Sequence, residues 1–185
     1  VDALAPIVAP AMAMARVVKK RYGDNSKVIF IGPCVAKKAE SDSFDEVMTF
    51  TELNQMFITN GIKADEVEES EFDGPHSGKG AIFPVNHGLL QSLGKSEGLK
   101  AGEVITAEGK SKFKDAINEF KDGVLSTQHL ELLCCDGCIN GPGMTEYGNL
   151  YAKRKMVTGY VTSKLTNLDE KTWEKEIQYY SDIDL

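Results

Sequence analysis

Apolar residues along the chain alternate between helical spacing and short continuous runs. Met14, Val17 and Val18 follow the i, i+3, i+4 rule and predict a buried stripe on a helix from Pro10 to about Tyr22. Pro10 suits the first turn and Gly23 lies just past the end. Lys19, Lys20 and Arg21 fall in the last turn, where the helix dipole favours cations. The run Lys27-Val28-Ile29-Phe30-Ile31 reads as a strand covered on both faces, as in a parallel α/β sheet. Glu46-Val47-Met48 predicts a second short strand. Thr49, with Glu52 three residues on, has the form of a capping box. The helix it opens carries Leu53, Met56 and Phe57 on one face and stops near Gly61.

Residues 64–80 are acidic and then Gly-rich, which predicts a loop, mobile at Gly74–Gly80, followed by a brief apolar stretch, Ala81-Ile82-Phe83. Glu103 to Thr106 reads as a strand. A helix with Phe113, Ile117 and Phe120 in phase then ends near Gly123. His129 to Leu133 is another strand-like run. A helix is expected from Asn149 to about Leu165 with Tyr160 and Val161 inward, and an amphipathic segment from Trp173 to Tyr180. Strands alternating with helices predict an α/β fold with short parallel sheets flanked by helices. No repeat or Ser/Pro-rich linker interrupts the chain, so one compact unit is expected.

Composition narrows the function classes. The 185 residues are enough for a core without disulfide staples, and 26% charged with 42% hydrophobic residues is ordinary for a globular domain. The formal charge of −7 argues against binding to nucleic acid or to anionic membranes, both of which need Lys and Arg. No apolar run approaches the roughly 18–20 residues that span a bilayer. The start lacks the basic and apolar regions of a signal peptide, and the expectation is an excised domain of a cytoplasmic protein rather than a processed precursor.

The chemistry gathers at four cysteines: Cys34, Cys134, Cys135 and Cys138. Each follows an apolar strand-like run in a Gly/Pro-containing turn. If Cys34 and Cys134 both end strands of one sheet, they converge at one edge, where α/β folds build sites. A single strand-end Cys is ordinarily a small hydrophobe, and a disulfide is out of place in a reducing cytosol. Three cysteines within five residues, followed by Gly141-Pro142-Gly143, point instead to a metal or cluster. Bare backbone N–H groups at glycines can approach cluster sulfurs. Cys135 and Cys138 form a C-x₂-C, yet no second knuckle completes a structural zinc site. Residue types leave iron–sulfur and zinc both open. His76, His87 and His129 are too scattered to form a ligand set by spacing, and His87 reads as a turn residue. Glu66–Glu71 reads as a solvated face. Gly78-Lys79-Gly80 lacks the spacing of a phosphate loop.

Gly32-Pro33-Cys34-Val35-Ala36-Lys37-Lys38-Ala39-Glu40 resembles the second signature of the iron-only hydrogenases, Pro-Cys-x-x-Lys-Lys-x-Glu. Glu131 to Gly143 resembles the third, Glu-x-x-x-Cys-x-x-Gly-Cys-x-x-Gly-x-Gly. Thr49–Leu53 and Gly80–Phe83 are similar to connecting segments of that family, so the resemblance runs from about Ala11 to about Leu165. It implies a [4Fe-4S] cluster joined through a cysteine sulfur to a di-iron subcluster bearing CO and cyanide. Cys34 and Cys134 match cluster ligands. Cys138 matches the cysteine whose thiolate bridges to the di-iron unit. Lys37 matches the lysine that donates to a cyanide, a charge-assisted pair; residue type alone reads Lys37 and Lys38 as a solvated pair. The implied partners are H2, protons and an electron-transfer partner.

The family's first signature, which supplies a further ligand and a proton-relaying cysteine, would lie upstream of Val1. The resemblance therefore implies that residues 1–185 are a fragment: the C-terminal half of a catalytic domain, inactive without its upstream half, with an apo fragment that holds no cofactor among the expectations. Cys135 reads as a spare thiol. Gly32, Leu132, Pro142 and Met144 stand where catalytic members commonly carry Met, Met, Gly and Gln. Such changes resemble a sensory branch, often fused to sensor and kinase modules. Two further readings stay open: a non-catalytic iron–sulfur assembly-type protein and a zinc-binding interaction module.

Overall fold

The computed structural model describes residues 3–40, 43–94, 104–125, 129–145 and 149–184. They divide into two compact units, Val1–His76 with Asp169–Leu185, and Ser77–Leu168. The chain crosses between them at His76–Ser77, inside the Gly-rich loop, and returns after Leu168. No change of composition marks either point.

In the first unit, α1 spans Pro10–Tyr22, with Pro10 in its first turn and the Gly23 N–H closing on the Lys19 carbonyl at 2.8 Å. Its buried residue is Ala15, while Met14 is 42% exposed, so the stripe lies one position from the predicted centre. Strands β1 (Ile29–Ile31) and β2 (Glu46–Met48) pair in parallel, Ile29 opposite Glu46 and Ile31 opposite Met48. Two strands are too few to cover both faces: Ile29 is 52% exposed, against the continuous burial its sequence predicts. Helix α2 (Phe50–Thr59) opens on the expected capping box. The Thr49 hydroxyl accepts the Glu52 N–H at 3.2 Å, and the Glu52 carboxylate accepts the Thr49 N–H at 2.7 Å. Thr49 is buried; Met56 and Phe57 stay partly exposed.

Helix α6 (Glu170–Tyr179) starts earlier than its apolar pattern suggests, because Asp169 accepts the Thr172 N–H at 3.2 Å as its cap. It lies against α1 through the Arg21–Glu176 pair at 2.8 Å and the Lys20–Asp182 pair. Such exposed pairs orient more than they stabilise. Gly74, expected in a mobile stretch, is buried, and its carbonyl accepts the Tyr22 hydroxyl at 2.5 Å.

In the second unit, α3 spans Gly88–Ser92, β3 Val104–Glu108, α4 Lys112–Lys121, β4 His129–Leu133 and α5 Leu150–Thr166. The predicted strand position Glu103 lies outside the described residues. Strands β3 and β4 pair in parallel from Val104 opposite His129 to Glu108 opposite Leu133, and α4 makes the crossover that a parallel pair requires. Val85, Val104, Ile139 and Val161 form the buried core. Val161 is inward as expected, but Tyr160 is 54% exposed, because the inward face of α5 runs through Val157 and Val161. Helix α3 carries no sequence signal. It packs on the 3-10 turn Gly78–Ile82 of the same unit, and its first N–H, that of Gly88, donates to the Val85 carbonyl at 2.8 Å. Among the described residues, no helix is long and apolar enough to cross a membrane.

The four strands form two separate two-stranded sheets, β1 with β2 and β3 with β4. Cys34 follows β1 and Cys134 follows β4. The expectation that they end strands of one sheet is therefore wrong, since each strand completes its backbone pairing within its own unit.

Candidate metal centre

In the first unit, β1 runs into Gly32-Pro33 and delivers Cys34 at the head of a short 3-10 turn, Val35–Ala39. Cys34 has an extended backbone and is half-buried. The Phe30 ring, stacked near Phe44 with centroids 5.3 Å apart, fills the space that a Cβ at Gly32 would need, 2.8 Å from two ring carbons. A longer residue at position 32 would have to displace that ring.

The turn's basic residues are engaged. Lys37 is paired with the Glu40 carboxylate and its side chain is 20% exposed. It is not the solvated lysine that residue type suggests. Lys38 pairs with Glu52 and so ties the turn to the capping box of α2. That lysine, with the Thr49 N–H and hydroxyl, pulls the Glu52 carboxyl down to about 2.

In the second unit, β4 ends at Leu133 and the chain enters Cys134-Cys135-Asp136-Gly137-Cys138 directly, as its sequence predicts. The Gly109 N–H, at the end of β3, is shared between the Leu133 carbonyl at 3.0 Å and the Cys135 carbonyl at 3.1 Å. This fork anchors the cysteine turn to the sheet. Gly137 sits at φ 92°, ψ 156°, a conformation open essentially to glycine alone. A Cβ there would also meet the Asn86 amide, 3.3 Å from Cγ and closer still to Oδ1. Cys138 then heads a 3-10 turn to Asn140, closed by the Gly141 N–H on the Cys138 carbonyl at 2.9 Å.

Cys134 and Cys135 are exposed, Cys138 is half-buried, and none of the four cysteines is in a disulfide. Thiols outside any disulfide, carried on a glycine-bearing turn, have the donor chemistry of an iron–sulfur ligand set. Among the described residues, no three His, Cys, Asp or Glu side chains are drawn together around one point. The thiols are thus presented on turns rather than closed into a cage.

Two residues of the second unit that spacing did not single out for chemistry, Asn86 and His87, share one feature with Glu131 of the third signature. Asn86 Oδ1, His87 Nδ1 and Glu131 Oε2 are all buried with no hydrogen-bond partner among the described residues. Burial pushes the Glu131 carboxyl above the ordinary carboxylate range, while the positive potential of His87 and the Leu90 N–H oppose the rise. Glu131 was visible as a signature residue, but its register is informative. It stands three residues before Cys134 and four before Cys135. The glutamate and the cysteine spacing therefore anchor the third signature one residue apart.

The family described as "Iron only hydrogenase large subunit, C-terminal domain" matches residues 1–142. Among solved structures, the chain is similar to an FeFe-hydrogenase studied for oxygen inactivation through its H cluster 2Fe subcluster. The identity is 19% and the TM-score 0.61, covering 83% of this chain and 58% of that one. It is similar to HydA(deltaEFG), described in stepwise H-cluster assembly, at 19% identity and TM-score 0.56, covering 80% and 56%. It is also similar to a Cys-to-His variant of apo HydA1 FeFe-hydrogenase from Chlamydomonas reinhardtii, at 19% identity and TM-score 0.56, covering 80% and 57%. At such identity the likeness is one of fold. The chain spans under two thirds of the length of each of these relatives. No curated protein matches it.

Proposed function

The chain belongs to the iron-only hydrogenase large-subunit family, and from that premise we propose that it is the iron–sulfur-binding, C-terminal half of a hydrogenase-like catalytic domain. The parent protein catalyses or senses the reversible interconversion of dihydrogen with protons and electrons. It exchanges electrons with a partner and resides in the cytoplasm, where free thiols persist. The observation that carries this reading is the cysteine turn at the end of β4. There a glycine-only conformation and a shared Gly109 N–H hold three thiols beside the sheet within the matched family region.

Cys34, Cys134 and Cys138 are the thiolates proposed for a [4Fe-4S] cluster, Cys138 also bridging to a di-iron subcluster with CO and cyanide in the intact parent. When bound, that group supplies the electron and hydride chemistry, and the protein supplies ligands, charge and shelter. Lys37 brings an ammonium on a partly exposed side chain to the turn of Cys34. In this chain Glu40 neutralises it, so a cyanide facing Lys37 would take that carboxylate's place. The exposed pair Cys134 and Cys135 leaves the choice between adjacent thiols to experiment.

The test is anaerobic reconstitution with iron and sulfide, followed by iron, sulfide and zinc analysis. About four irons and four sulfides per chain are expected. Tight zinc without stable iron would overturn the reading in favour of a structural zinc module. Infrared bands of CO and cyanide in the matured parent are expected next. A cubane without those bands would make the protein an assembly-type relative.

A further inference from the structure

Asn86, His87 and Glu131 of the second unit each carry a buried polar atom with no hydrogen-bond partner among the described residues. His87 caps α3 in a left-handed conformation, φ 65°, uncommon outside glycine though His and Asn adopt it more readily than most. Glu131 lies on the neighbouring strand β4. Oε2 of that carboxyl and Nδ1 of His87 are buried and unpartnered among the described residues, and both side chains line one cavity of about 10 Å³ with Thr106, Ala107, Glu108 and Leu133. A volume of that size holds one water molecule, and a water needs at least two polar partners to stay. A buried polar atom without a partner is costly, so two such atoms on residues that line one water-sized space call for an occupant.

We propose that an internal water bridges His87 and Glu131, and that the bridged pair is a proton-holding site at the base of the cysteine turn. The proton resides on the Glu131 carboxyl or, by transfer through the water, on His87 Nδ1. Moving it leaves a carboxylate and an imidazolium, with no other bond changed. Burial raises the carboxyl's hold on its proton, and Glu108 on β3, the other charged group lining the cavity, raises it further. No residue of α3 is charged, so the groups facing Glu131 are His87 and Glu108. Asn86, next in sequence to His87, abuts Gly137 and so joins the pair to the turn. This inference stands on the second unit's own geometry and does not depend on whether the thiols hold iron.

The test is a carboxyl ¹³C NMR titration of the full chain without metal, beside His87→Asn, which tolerates the left-handed backbone, and Glu131→Gln, which identifies the resonance. The Glu131 carboxyl is expected to titrate above the ordinary range in the parent, and higher again in His87→Asn, where the opposing positive potential is gone. A nuclear Overhauser contact from a slowly exchanging water to His87 is expected in the parent and lost in Glu131→Gln. An ordinary Glu131 titration that His87→Asn leaves unmoved would overturn the proposal. So would a high-resolution structure with Oε2 and Nδ1 in direct contact and no water. If His87→Asn fails to fold, the parent titration and the water contact still decide.

Discussion

Gly137→Ala is the sharpest perturbation of the cysteine turn. An alanine at φ 92°, ψ 156° occupies a region that side chains avoid, which costs about 1–3 kcal/mol. Its Cβ would also press on the Asn86 amide, inside 3.3 Å of Cγ, and forcing that side chain aside costs about 1–3 kcal/mol more. The sum is about 2–6 kcal/mol, to be taken from a unit of marginal stability. Amide hydrogen exchange localises the effect, because the Gly109 N–H bonds the carbonyls of Leu133 and Cys135 on the turn itself. At about 1.4 kcal/mol per tenfold, peptides spanning β3 and β4 should exchange at least roughly thirtyfold faster in Gly137→Ala. The double variant Asn86→Ala/Gly137→Ala should recover the steric part and keep the backbone part. Unchanged exchange in Gly137→Ala would refute both terms. Full recovery in the double variant would refute the backbone term alone.

Gly88→Ala should destabilise the second unit by ~3 kcal/mol, because its Cβ would meet the Ile82 carbonyl carbon at 2.8 Å and backbone cannot swing aside as a side chain can; chemical denaturation followed by circular dichroism reads it. Thr49→Ala should cost the first unit about 1–2 kcal/mol through loss of a buried cap, seen in urea denaturation by the fluorescence of Trp173 in the same unit. The Glu52 carboxyl sits at about 2 in the fold against 4.5 ordinarily, chiefly through Lys38, so its contribution is complete above 4.5 and disappears as pH falls toward 2. Glu52→Gln should flatten that acid limb of the stability profile, and an unaltered limb would remove Glu52 as its source. Iron loading after reconstitution should fall in Cys34→Ala and Cys138→Ala. It should fall more in Cys134→Ala than in Cys135→Ala, and the reverse order would shift the third signature to the register that Glu131 defines.

The local elements were legible because their causes are local. Pro10, Gly23 and three cations bound α1 at the residues the structure gives it, and Thr49 with Glu52 announced α2 by a hydrogen-bonding pattern that closes within four residues. The cysteine turns were legible for the same reason: an apolar strand must end where Gly and Pro break its pairing. Periodicity overstated burial wherever the covering partner was assumed. Ile29, Met56 and Tyr160 have apolar neighbours in sequence yet stay partly exposed, because a two-stranded sheet and the packing face of α5 decide coverage. Helix α3 was invisible, since its five residues are too few to show a period and its support is packing on the turn Gly78–Ile82.

The sequence by itself therefore determined the α/β class, the helix and strand order, the family signatures and the identity of the thiols, all of which rest on short-range chemistry. Tertiary structure alone decided that the strands close into two separate sheets, that the Asn86 side chain abuts Gly137, and that His87 and Glu131 line one cavity of the second unit. Those outcomes depend on which distant backbone groups satisfy one another and which side chains lose water together, and no spacing along the chain encodes that.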